Sequence, residues 1–248
     1  MARLAGKVAI VTGAAGGMGS IFARRFVEEG AQVLLTDIQD ATALAQQLGR
    51  QARFIKHDVT REEVWQEVIE AGEKAFGPIS ILVNNAGVGA DNRFIETISE
   101  SDYRRIIDIN QVSVFFGMKH VLPTMKRAGG GAIINISSVG GLRGAPASLA
   151  YVASKFAVCG MTKAAALEYA PHNIRVNSVH PGFTRTPMVA PTARAEEKLK
   201  PVIDRVPAGR LGDAGEIANT VVFLASDEAR FATGAEFVID GGLSCRLV

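Results

Sequence analysis

Cysteine is scarce in this chain. Cys159 and Cys245 lie far apart in sequence. They make no C-x-x-C pair and no cluster with histidine at metal-ligand spacing, so they read as buried or incidental thiols. Histidine is thin as well. His57, His120, His172 and His180 are scattered, with no H-E-x-x-H or similar pattern, and no metal site is expected. An excess of one charge is also missing: 27 basic and 25 acidic residues leave a net +2, with no long run of either sign. That speaks against the clustered basic face of a nucleic-acid binder. No apolar run is long enough to span a membrane, and the opening MARLAGKVAIVTG passes straight into a strand pattern without a secretory signal. The expectation is a cytoplasmic protein with no membrane partner. No Pro/Ser-rich linker and no internal repeat divides the 248 residues. A single domain over residues 1–248 is therefore expected, long enough to bury a sizeable core.

What is present is an alternation of short apolar runs with helical patterns. Strands are expected at Lys7–Thr12, Gln32–Thr36, Ala52–His57, Ile79–Val83, Ala132–Ile136, Asn173–Val179 and Glu236–Ile239. Helices are expected from Ser20 to Gly30, Asp40 to Leu48, near Thr60 to Ala75 with a capping box at its start, Glu100 to Lys126, through Tyr151 and Lys155, and Gly215 to Ser226. Seven strands alternating with helices predict an α/β fold, a doubly wound parallel sheet with helices on both faces. Residues 183–212 are less regular, with four prolines, and suit either a mobile lid over a pocket or a structured surface excursion.

Three stretches carry chemistry. After the first strand comes Gly13-Ala14-Ala15-Gly16-Gly17-Met18-Gly19, followed by a helix. Glycines let the backbone turn tightly and approach a pyrophosphate, which the helix N-terminus then stabilises. The second strand ends at Asp37, whose carboxylate can accept hydrogen bonds from ribose hydroxyls and repels a 2′-phosphate. Neither Gly16 nor Ile38 offers a cation. The local charge argues for NAD over NADP, the alternative being that Asp37 is a plain cap or turn residue. The fifth strand leads to Ser138, and thirteen residues later Tyr151 and Lys155 stand one helical turn apart. A ketone–alcohol interconversion needs a proton donor and acceptor beside the hydride path. A tyrosine titrates near pH 10 and becomes a useful base only with a cation nearby. Ser138 could hold the oxygen on which charge changes. Taken alone, Tyr-x-x-x-Lys is also the spacing of a solvated helix face.

Together with Asn84-Asn85-Ala86-Gly87, Asn110, Pro181-Gly182 and the closing Asp240-Gly241-Gly242, these residues resemble the short-chain dehydrogenase/reductase family over almost the whole chain. The resemblance implies a Rossmann fold and a catalytic set of Asn110, Ser138, Tyr151 and Lys155. Tyr151 would be the general acid/base and Ser138 the orienter of the substrate oxygen. Lys155 would lower the tyrosine pKa and hold the nicotinamide ribose, and Asn110 would hold a water linking Lys155 to solvent. The implied cofactor site comprises Gly13, Gly17, Met18, Gly19, Asp37, Ile38, Asp58, Val59, Asn85, Ala86, Gly87, Tyr151, Lys155, Pro181, Gly182, Thr184 and Thr186. The family is commonly tetrameric, so a homotetramer paired through the helices carrying Tyr151 and Lys155 is expected. Local stretches such as Met125–Gly131 and Asn177–Gly182 resemble a hydroxysteroid-dehydrogenase subgroup. The residues around Val88–Ala90, Gly140–Ser148 and Met188 are mostly small or apolar and fit a hydrophobic secondary alcohol or ketone, although Arg143 and Arg185 leave an acidic substrate open. Two other readings stand beside this one: a 3-oxoacyl-carrier-protein reductase, which predicts NADPH preference, and a dinucleotide-sensing protein without catalysis.

Overall fold

The structure is a computed structural model that describes residues 2–189 and 199–245. Its strands are β1 (Val8–Thr12), β2 (Gln32–Asp37), β3 (Ala52–Lys56), β4 (Ile81–Asn84), β5 (Gly131–Ile136), β6 (Ile174–Pro181), β7 (Thr184–Arg185), β8 (Gly212–Asp213) and β9 (Glu236–Ile239). Seven of them form one sheet in the order β3–β2–β1–β4–β5–β6–β9, with every pairing parallel. β1 and β4 are buried at every position. That is the state of a parallel strand covered on both faces, and it explains why they read as continuous apolar runs.

Strand residues alternate between two cores. Ala9, Val11, Val33, Leu35 and Val83 meet Phe22 and Phe26 of helix α1 (Gly17–Glu28), Leu44 of α2 (Thr42–Leu48) and Ile217 and Val221 of a helix at Ala214–Ala225. Val8, Ile10, Leu34, Leu82 and Ile133 meet Trp65 and Val68 of α3 (Glu62–Phe76), with Val114 and Val121 of one long helix and Val158 of another on the same side. The doubly wound parallel sheet is as expected. Because chain order reverses on either side of β1, a crevice opens at the carboxyl ends of β1 and β4.

Local departures have physical causes. The long helix expected over Glu100–Lys126 is two helices, α4 (Glu100–Ile107) and α5 (Ser113–Arg127), joined by one π turn at Asp108–Val112. β4 starts at Ile81, because the Ile79 amide donates to Thr124 Oγ1 at 2.9 Å instead of entering the sheet ladder. β6 runs on through Pro181 because it gains β9 as a neighbour, pairing Pro181 with Ile239. The capping box expected at Thr60 does not form: the Thr60 hydroxyl donates to Asp58 Oδ1 at 2.7 Å, and α3 has no side-chain cap. An Asx-type turn has won the competition for that hydroxyl. Among the described residues, a single turn, α7 (Lys200–Ile203), and α8 (Ala214–Ala225) lie between β7 and β9. The irregular stretch contains a small parallel pair, β7 with β8, and its residues 190–198 lie outside the described residues. No helix among the described residues is long and apolar enough to cross a membrane.

Candidate active site

The crevice begins at the glycine-rich turn. Gly13 has φ +65°, and a Cβ there would stand 2.8 Å from Ala86 Cα. On Gly19 a Cβ would stand 2.1 Å from the Gly13 carbonyl oxygen. These two glycines let the turn close onto α1 and β4. Gly16 and Gly17 differ, since a Cβ on either would meet nothing within 4 Å. α1 starts there with no side-chain cap, so no side chain takes up its first amides. Open space over uncapped amides is a setting that fits an anionic group such as a pyrophosphate. Met18 packs, partly buried, against the core beneath.

Asn85 ties this turn to the end of β4. Its side-chain amide donates to Thr12 O at 2.8 Å and Gly13 O at 3.2 Å, while the Asn85 and Ala86 backbone amides both donate to Thr12 Oγ1 at 3.0 Å. At the end of β2, Asp37 accepts from the Ala15 amide at 2.9 Å and from the Gln39 amide at 2.9 Å. It is a turn residue as well as a carboxylate at the crevice edge. Ile38 beside it is exposed, and past β3 Val59 is buried while Asp58 is exposed.

The expected catalytic set comes together at the ends of β4 and β5. Helix α6 (Leu149–Tyr169) carries Tyr151 and Lys155 on one face. The Lys155 ammonium lies 5.8 Å from the Tyr151 ring centre and donates to Ile136 O at 2.9 Å. Burial pulls its pKa from 10.5 to about 8. Burial pushes the Tyr151 phenol above its usual value, while the nearby Ser138 hydroxyl pulls the other way. Ser138 Oγ also accepts from the Gly140 amide at 3.0 Å. Asn110 sits in the π turn, fully buried. Its Oδ1 accepts from Val88 N at 2.8 Å, and its Nδ2 donates to Val88 O at 3.0 Å and to Ser154 Oγ at 3.3 Å. Gly87 stands between the two: a Cβ on it would lie 3.1 Å from Asn110 Oδ1 and 3.7 Å from Lys155 Nζ.

Apart from Asn84 of the Asn84–Gly87 motif, the residues that support this set carry no motif in the sequence. Ser137 Oγ donates to Lys155 O at 3.0 Å, and Ser154 Oγ donates to Tyr151 O at 2.7 Å, so both hold α6 in place. Asn84 donates to Asn135 Oδ1 at 2.8 Å and Asn135 donates to Thr162 Oγ1 at 3.0 Å, a buried polar chain linking β4, β5 and α6. His180 Nδ1 lies 2.9 Å from Ser138 O.

The rim is mostly apolar. A Cβ on Gly89 would touch Met188 at 3.5 Å, so the loop after β4 and the start of the irregular stretch face each other. Arg93 bridges to Ser148, joining the first of these loops to the start of α6. Arg143 donates to Ser244 O at 2.6 Å, and Arg185 pairs with Asp213 at 2.7 Å. Among the described residues Arg143 and Arg185 are thereby engaged, which favours the apolar reading of the rim. Pro181 is buried, and Gly182 packs so closely on Asp240 that a Cβ would stand 2.8 Å from its Cα. The Thr184 hydroxyl donates to Gly182 O at 3.2 Å, and Thr186 O accepts from the Val189 amide at 3.0 Å. A separate cavity of about 670 Å³ opens by Lys7, Gly131 and Arg175 at the amino ends of the strands, away from Tyr151. Its cations are spent on Asp227 and on backbone carbonyls. Among the described residues no group of three or more His, Cys, Asp or Glu gathers at metal-binding distance.

A doubly wound sheet with a glycine-rich turn at its crevice and a Ser–Tyr–Lys cluster across from it defines a dinucleotide-dependent oxidoreductase class. A sequence model described as Enoyl-(Acyl carrier protein) reductase matches residues 13–244. The chain is 45% identical to a 3-alpha-(or 20-beta)-hydroxysteroid dehydrogenase of Mycobacterium tuberculosis, over 97% of this chain and 90% of the relative. It is 43% identical to an NADP-dependent (R)-specific alcohol dehydrogenase of Lentilactobacillus kefiri, over 98% and 99% of the two chains. A cyclohexanol dehydrogenase of an Acinetobacter species is 39% identical over 97% and 96%. The protein belongs to the short-chain dehydrogenase/reductase family and is an oxidoreductase of that family.

Proposed function

We propose that the protein interconverts an apolar secondary alcohol and its ketone with NAD, cyclic alcohols and hydroxysteroids being the first candidates. The observation that carries this is the Ser138–Tyr151 hydroxyl pair with the buried Lys155 ammonium beside it, opposite the glycine-rich turn. Ser138 Oγ and Tyr151 Oη together hold the substrate oxygen. In reduction the protonated phenol gives its proton to that oxygen, and burial suits this by keeping the proton on Tyr151 at neutral pH. The Lys155 charge stabilises the phenolate that this leaves, and in oxidation that phenolate takes the alcohol proton and becomes the neutral phenol again. A bound nicotinamide supplies or accepts the hydride. Lys155, titrating near 8, can exchange protons close to neutrality. The Asn110 side chain is spent on Val88 and Ser154, so it acts by holding the Val88 loop beside Lys155 and keeping a path for water to the ammonium.

NAD is favoured because a 2′-phosphate would stand against the Asp37 carboxylate, with Gly16 and Ile38 offering no cation. The apolar rim supports a hydrophobic substrate, as do the printed names of relatives that act on hydroxysteroids and cyclohexanol. The described residues 183–189, where Met188 faces Gly89, would cover that substrate as part of a lid. A homotetramer is part of the proposal, supported by exposed Phe115 on α5 and Leu149, Phe156 and Leu167 on α6. Steady-state rates with NAD⁺ and NADP⁺ on cyclohexanol and on a hydroxysteroid panel test the reading. Turnover with kcat/KM at least about ten-fold higher for NAD⁺ is expected. Preference for NADP⁺ would overturn the ribose-site argument and move a 3-oxoacyl-carrier-protein reductase to first place.

A further inference from the structure

We propose that His180 is a positioning residue for the reaction: its ring fixes the backbone of Ser138 and so the hydroxyl shared by Tyr151 and the substrate oxygen. The inference rests on the role proposed above for Ser138. The β5–β6 ladder pairs Ile136 with Val179, and its last bond runs from the Ser137 amide to Val179 O at 2.8 Å. Ser138 lies one residue beyond, in an extended conformation, where its carbonyl leaves the ladder and accepts from the Gly141 amide of its own turn at 2.9 Å. The His180 ring ties that carbonyl back to β6, with Nδ1 at 2.9 Å from Ser138 O. A carbonyl only accepts, so Nδ1 carries the hydrogen. In the neutral ring Nε2 is then an acceptor, and the Ser178 hydroxyl lies 2.8 Å from it as donor. Ser178 and His180 are two apart on β6 and share one face of the strand. Burial lowers the pKa of His180, so the neutral tautomer stands at neutral pH. Cys159 Sγ, the other neighbour of Nε2, is 4.0 Å away and its own pKa is raised by burial, so it stays a neutral thiol. Ser138 is thus held at three points: its carbonyl by His180 and by the Gly141 amide, and its hydroxyl by the Gly140 amide. The last two belong to its own turn, so without His180 the residue and the turn could shift together and carry the hydroxyl away from Tyr151 without breaking the sheet.

The amide geometry of two substitutions separates this role from simple packing. In His180→Asn the side-chain NH₂ can occupy the Nδ1 position and still donate to Ser138 O. In His180→Gln the amide reaches the Nε2 position, keeping the Ser178 contact and losing Ser138. Expected are a fall in kcat of about ten-fold or more for His180→Gln and His180→Leu, cofactor Kd within about two-fold of wild type, and His180→Asn within about three-fold in kcat. Equal kcat for the Asn and Gln variants would overturn the proposal, as would an unchanged kcat in His180→Leu. A wild-type protein that turns over no secondary alcohol would instead overturn the proposed function. The tautomer of His180, read from imidazole ¹⁵N shifts of the wild-type protein, then tests the inference separately and needs no variant to fold. A proton on Nδ1 is expected, and a proton on Nε2 alone would overturn it.

Discussion

Replacing Lys155 with methionine removes a charge that the fold holds at a cost. Burial pulls its pKa from 10.5 to about 8, a gap worth about 3 kcal/mol between the charged and neutral forms. The folded pKa lies below the unfolded one, so the unfolded chain binds the proton more tightly. The cost is present in full below about pH 8 and disappears as pH rises through the window up to 10.5. Methionine is of similar length and carries no charge, but it abandons Ile136 O, which now accepts from Nζ at 2.9 Å. Leaving that buried carbonyl unpaired costs about 1–2 kcal/mol. The balance is a variant about 1–2 kcal/mol more stable than wild type at pH 7, and inactive. Urea unfolding of cofactor-free protein at fixed concentration, at pH 7 and pH 10, measures it. The advantage of the variant should shrink or reverse at pH 10. A Lys155→Met protein less stable than wild type at pH 7, or a difference that does not change with pH, would refute the claim that Lys155 is held against its solvation.

Other substitutions test neighbouring parts of the site. Asp37→Asn keeps an acceptor for the Ala15 amide but removes the charge, so the NADP⁺/NAD⁺ ratio of kcat/KM should rise about ten-fold; an unchanged ratio would place selectivity elsewhere. Gly19→Ala forces a Cβ against the Gly13 carbonyl and should cost about 2–3 kcal/mol in urea unfolding with loss of cofactor binding in a fluorescence titration. Asn110→Leu strips both backbone partners from Val88 and should cost about 2–4 kcal/mol, with a lower kcat; wild-type stability would mean that the π turn needs no clamp. His57, buried against Trp65, has its pKa lowered from 6.5 to about 4. The stability it contributes is complete above pH 6.5 and is lost as pH falls toward 4, so His57→Gln should flatten the unfolding curve in that acid window.

Much of the sheet was legible because a parallel strand covered on both faces leaves a compact signature. KVAIVT and AIINI are mostly apolar and are followed by glycine or serine, and both belong to strands of the central sheet. The catalytic set was legible because Tyr151 and Lys155 share a helix face one turn apart, and Ser138 follows a buried strand directly. The π turn around Asn110 was not, since five residues of wider winding leave the apolar spacing of the flanking helices almost unchanged. His180 carries no motif that sets it apart from the other scattered histidines. Its signal was the Ser178-x-His180 alternation on a strand, and this gains meaning only once the ladder is seen to stop at Ser137. The cap at Thr60 failed for a local reason: Asp58, two residues earlier, captures the hydroxyl. A D-x-x-E pattern at Asp213–Glu216 does cap its helix, with Glu216 accepting the Asp213 amide at 2.8 Å.

The central claim is that the Tyr151 hydroxyl carries the proton in the interconversion. Tyr151→Phe removes that oxygen and leaves the ring beside Lys155. The direct measurement is single-turnover formation of NADH from NAD⁺ and a saturating secondary alcohol, with cofactor affinity titrated on the same preparation. The account predicts cofactor binding within about two-fold of wild type and a rate lowered by about a hundred-fold or more. Turnover at the wild-type rate in Tyr151→Phe would contradict it and move the proton to another group of the site.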